Sequence, residues 1–112
     1  MAFKINYHHD VKYDIEDAKY WYNKQQSGLG QKLLFQIKKV ISAIVENPYL
    51  FQEKYNGIRI AYTSIFPFGV HYFVDEKNKI ITILAIFHQS LDPIKGSARI
   101  WKQHPRWSDH WR

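Results

Sequence analysis

A chain of 112 residues with no cysteine, a formal charge of +6 and 46% hydrophobic residues is the size of one domain with one core. The missing thiols exclude disulfides and thiolate metal sites and fit a reducing compartment, so a cytoplasmic location is expected. Residues 1–10, MAFKINYHHD, lack an apolar signal core, and no apolar run approaches the roughly 18 residues of a membrane span.

Phe3, Ile5 and Tyr7 alternate with Lys4, Asn6 and His8, which predicts a first strand. Asp14 has the features of a helix N-cap, with Glu16 and Asp17 placed to suit the helix dipole. Ile15, Ala18, Trp21 and Tyr22 then make the apolar face of a first helix, and Gly28 suits a left-handed C-cap. In the next segment Leu33, Leu34, Ile37, Val40, Ile41, Ile44 and Val45 share one helical face, until Pro48 forces the chain out of the helix. A loop this short between two helices makes an antiparallel hairpin packed on one face of a sheet.

Residues 57–93 read as three short strands. Ile58, Ile60 and Tyr62 alternate with Arg59, Ala61 and Thr63, and Val70, Tyr72 and Val74 alternate with His71, Phe73 and Asp75. Ile80–Phe87 is nearly all apolar, as a central strand covered on both faces would be. The expected architecture is α+β: an N-terminal strand, a helical hairpin and a mainly antiparallel sheet over 1–93, then an extended tail over 94–112. The tail carries Lys95, Arg99, Lys102, Arg106 and Arg112 against Asp109 alone, a net +4 that leaves +2 of the total +6 for the body. It also holds Trp101, Trp107 and Trp111. A basic chain of this kind seeks nucleic acid or an acidic protein.

The ordered set Glu46-Asn47-Pro48, Ile58-Arg59, Phe66-Pro67-Phe68, Val70-His71-Tyr72, His88-Gln89 and Asp92-Pro93 resembles the ParE/RelE toxin superfamily over about residues 3–93. Ala18 with Trp21-Tyr22 and the Gly28-Leu29-Gly30 turn are similar to its ParE-like branch. After Pro93 the chain departs from that pattern, since Ile94-Lys95-Gly96-Ser97 intervenes and the next tryptophan is Trp101. The resemblance implies a bacterial type II toxin neutralised by a cognate antitoxin, with no cofactor. ParE-like members inhibit DNA gyrase, whereas RelE-like members cleave mRNA on the ribosome. A non-toxic protein-binding module on the same fold is a third reading.

Metal-independent RNA cleavage needs an acid, a base and several cations converging on one phosphate. Arg59 is the only arginine in the first 98 residues, and Gly69, Val70 and His71 stand where RelE-like nucleases carry a second one. The catalytic candidates are Arg59, His71 and His88, with Lys54 beside them; alternation predicts that Arg59 and His71 share an outward face. Arg59 has a plainer reading as a surface partner of Glu53 or Asp75, and His88 as a strand-end histidine bonded locally. The scarcity of phosphate anchors favours action by binding. Arg59, Arg99, Trp101, Lys102 and Phe35 are the candidate partner or nucleic-acid contacts, Phe35 because it lies off the apolar stripe and suits an antitoxin helix or a second copy in a homodimer. Trp101 is expected to dock across the exposed sheet face. His8-His9-Asp10 is not expected to bind metal, because neighbours on a strand point to opposite faces. His104 and His110 sit in an unpatterned segment and are not expected to bind one either.

Overall fold

The computed structural model describes residues 3–89. Its elements run β1 (Lys4–Tyr7), α1 (Val11–Gln25), α2 (Leu29–Glu46), β2 (Glu53–Tyr55), β3 (Ile58–Tyr62), β4 (Phe68–Asp75) and β5 (Ile80–His88). The strands form one sheet in the order β1-β5-β4-β3-β2. β1 lies parallel to β5 and every other pair is antiparallel. The expected α+β architecture is therefore the observed one, with the apolar β5 inside the sheet.

β2 was not among the expected strands. It pairs with β3 across Asn56-Gly57, whose φ angles of 45° and 77° are both positive. That is the type I′ hairpin turn, and Asn-Gly is its strongest local signal. β2 is only three residues long, too short for alternation to reveal it.

α1 begins at Val11, one turn before the expected start. Asp14 is inside the helix, and Asp10 occupies the cap position without a side-chain cap bond. The Asp14 carboxylate instead accepts the Ile86 backbone N–H at 3.0 Å, from a stretch of β5 that lies past the end of β1. A buried N–H must find an acceptor, and here a carboxylate 72 residues away supplies it. The first helix also ends before Gly28. Gln26 is its C-cap, while Gly28, at φ 89°, is the residue that opens α2. The two helices approach closely at Gly30, where an added Cβ would lie 2.6 Å from the Lys19 carbonyl oxygen. Asn23 Oδ1 accepts the Gly30 N–H at 2.8 Å across the same contact.

Ala18, Leu33, Ile37 and Ile44 from the helices pack on Ala61, Val70, Tyr72, Ile81, Ile83 and Ile86 from the sheet. Trp21, expected on this apolar face, is instead 56% exposed and turns its edge to Tyr22. A second cluster, Ile58, Leu84, Ala85 and Phe87, lies on the sheet face away from the helices. The pairing explains how β5 serves both. His71 lies opposite Ala85 and Tyr72 opposite Ile83, so Leu84 is an extra residue. This bulge turns Leu84 and Ala85 to the same side.

Candidate functional site

Register decides where the candidate site residues point. Arg59 lies opposite Tyr72, and Ile60 lies opposite His71. Directly opposed residues share a face, so Arg59 is on the helix side with Tyr72, while His71 is on the far side. The expectation that Arg59 and His71 share an outward face is thus corrected. Alternation fixed which residues go together within each strand, but the offset between strands was needed to match one strand's face to the next.

Arg59 braces the connector that follows α2. Its guanidinium donates to the Phe51 carbonyl at 2.6 Å and lies 5.3 Å from the centre of the Tyr49 ring. These bonds take it to the connector rather than to Glu53 or Asp75. Beside it the Tyr72 hydroxyl donates to the Pro48 carbonyl at 2.6 Å. Burial pushes the Tyr72 hydroxyl pKa up to about 12, a rise that the neighbouring Arg59 charge opposes. Both side chains therefore tie residues 48–51 to the sheet.

His71 is buried, with Nδ1 2.8 Å from the Tyr55 hydroxyl and its ring 5.3 Å from that of Phe87. His88 lies opposite Phe68 on the helix side and meets that ring edge-on at 5.4 Å. The two histidines are on opposite faces of the sheet. Arg59 shares a face with His88, but their partners Tyr72 and Phe68 are four positions apart on β4, roughly 13 Å along the strand. Lys54 is exposed on β2 and bonds Gln52 Oε1 at 3.2 Å. These groups do not converge on a point where one phosphate would sit. Arg99, Trp101, Lys102, His104 and His110 lie outside the described residues, as does the 93/94 boundary.

His8, His9 and Asp10 come together, contrary to the alternation argument, because β1 ends at Tyr7. The imidazoles stack with centroids 4.4 Å apart, and Asp10 Oδ1 lies 3.4 Å from His9 Nε2. The Asp10 N–H donates to His8 Nδ1 at 3.0 Å, which occupies the lone pair a metal would use there.

The residue singled out because it lies off the apolar stripe, Phe35, belongs to a larger surface whose other members the sequence did not reveal. Phe35, 60% exposed, lines an apolar groove of about 670 Å³ with Tyr22, Leu29, Ile65 and Phe66. Ile65 is 87% exposed and has φ 75°, a left-handed conformation that costs a β-branched residue about 1–3 kcal/mol. Ser64-Ile65-Phe66 carries no turn signature, so neither the strain nor the exposure was legible. The nearest hint was Pro67, which restricts the residue before it.

A family model for the ParE toxin of type II toxin–antitoxin systems, parDE, matches residues 5–93. The chain belongs to this family. Among solved structures, the chromosomal ParDE toxin–antitoxin system of Pseudomonas aeruginosa is similar at a TM-score of 0.67 and 18% identity, over 78% of this chain and 96% of that one. The toxin–antitoxin complex RelBE2 of Mycobacterium tuberculosis is similar at a TM-score of 0.56 and 11% identity, over 79% and 99%. A free-state variant of Escherichia coli RelE reaches a TM-score of 0.55 at 13% identity, over 93% and 99%. At these identities the structures show the shared fold. No curated protein sequence gives a significant match. The ParE-like branch expected from the helix residues is thus the family found, and no helix among the described residues is long and apolar enough to cross a membrane.

Proposed function

We propose that this ParE-family toxin acts in the cytoplasm by binding and inhibiting DNA gyrase, and that a cognate antitoxin of acidic character neutralises it. One observation carries the choice of binding over bond cleavage. Arg59, the only arginine before residue 99, spends its guanidinium on Phe51 and Tyr49, while His71 and His88 occupy opposite faces of the sheet. A metal-independent nuclease stabilises a dianionic transition state with cations and an acid–base pair at one point. The described residues offer no such cluster. The antitoxin partner is supported by the family and by relatives solved as toxin–antitoxin systems.

The test is to induce the chain alone in a bacterial host and pulse-label DNA and protein synthesis separately. DNA synthesis is expected to stop first, and the purified chain to inhibit supercoiling by gyrase. An early stop in translation would overturn this reading in favour of RelE-like mRNA cleavage. A chain that slowed neither would point to a non-toxic binding module.

A further inference from the structure

The loop between β3 and β4 is built to present one side chain. The Thr63 hydroxyl donates to the Phe66 carbonyl at 2.6 Å, and the Thr63 N–H donates to the Phe68 carbonyl at 2.9 Å. The Phe68 N–H donates to the Phe66 carbonyl at 2.9 Å, and the Gln89 N–H to the Pro67 carbonyl at 2.7 Å. Phe66 is sunk in the core, with its ring 5.2 Å from that of Tyr22. Between these anchors Ile65 projects as a fixed aliphatic knob on a strained backbone. Backbone strain of this kind clusters at sites that a function uses.

The groove beside the knob points to the kind of partner. Tyr22, Leu29, Phe35 and Phe66 line it together with Gln31 and Gln36. Among the described residues Lys32 is the one charged residue lining it, and Lys39 lies over the Phe35 ring at 5.7 Å. No carboxylate among the described residues lines the groove. A second copy would bring a chain of the same net charge, +6, to a groove whose charged residue is Lys32. A rigid projecting knob also needs a concavity to enter, which a folded protein has and an extended peptide lacks.

We propose that the Ile65 knob and the Phe35 groove are the surface by which this toxin engages its cellular target, a folded protein with an apolar pocket and an acidic rim. The proposal rests on action by binding, as argued above, and adds the surface that does it.

The test uses the full chain with Ile65→Gly, which removes the knob and accepts the positive φ, and separately Phe35→Ser. Thermal unfolding and affinity for the antitoxin encoded beside it are measured first. Growth arrest on induction and inhibition of purified gyrase are measured next. Both variants are expected to stay folded and bind antitoxin as the parent does, while needing roughly tenfold more protein for arrest. Parental potency in both variants would overturn the proposal. Lost antitoxin affinity with potency intact would do so too, and would assign the groove to the antitoxin. If the parent arrests growth without inhibiting gyrase, the gyrase reading fails, and the growth comparison still judges this surface. A parent that arrests nothing removes both.

Discussion

Tyr72 shows how one side chain ties sheet to connector and makes stability depend on pH. It is fully buried, and its hydroxyl holds the Pro48 carbonyl at 2.6 Å. Burial raises its pKa from 10.0 to about 12, so the folded state keeps a proton that the unfolded state has lost. The stabilisation is fully present below pH 10 and drains away as pH rises through 12, a change of the order of 2–3 kcal/mol. Denaturant titrations between pH 8 and pH 12 are expected to show this fall. Tyr72→Phe is expected to flatten it and to cost about 1–3 kcal/mol at neutral pH, because the Pro48 carbonyl loses its donor. A variant with the same alkaline slope as the parent would put the titration elsewhere.

The helical hairpin depends on Gly30 as an element depends on its closest contact. A methyl group there would meet the Lys19 carbonyl at 2.6 Å and the Asn23 side chain at 2.7 Å, and the carbonyl belongs to backbone that cannot swing aside. Gly30→Ala is therefore expected to destabilise the fold by about 1–3 kcal/mol, although alanine is the better helix former. Chemical denaturation would read this directly, and an unchanged or higher midpoint would show that the helices can part freely. The hairpin itself was legible. Leu33, Ile37 and Ile44 of the predicted stripe are buried, as a 3.6-residue period requires. Of the adjacent pair expected on the first helix's apolar face, Tyr22 reaches the core and meets Phe66 edge-on, while Trp21 stays exposed beside it.

For the whole molecule the question is whether toxicity comes from a reaction centre or from a surface. If it is a surface, Arg59→Ala and His88→Ala, separately or together, are expected to lower growth arrest by less than about tenfold once amounts of folded protein are matched. A nuclease stripped of a phosphate anchor and an acid would lose about 10²–10⁴-fold in cleavage rate instead. Quantifying arrest and transcript cleavage in the same induced cultures separates the two. The layout of the fold favours the smaller effect, since the Arg59 side chain is turned toward the residues that follow α2.

Much of this architecture followed from local order along the chain. Period-two alternation located β3 and β4, a 3.6-residue stripe located α2, and an unbroken apolar run placed β5 inside the sheet. Asn56-Gly57 carried enough information for β2 as well. These signals are local, because periodicity records which side of one element meets the core. The tertiary structure decided everything that needs two distant segments at once. It set Arg59 against Tyr72 rather than His71, gave Asp14 the N–H of Ile86, and let a bulge at Leu84 turn β5 toward both clusters. It also pinned Thr63 and Phe66 so that Ile65 stands out on a left-handed backbone. Strand offset, bulges and loop strain are settled by contacts between elements, so no window along the chain contains them.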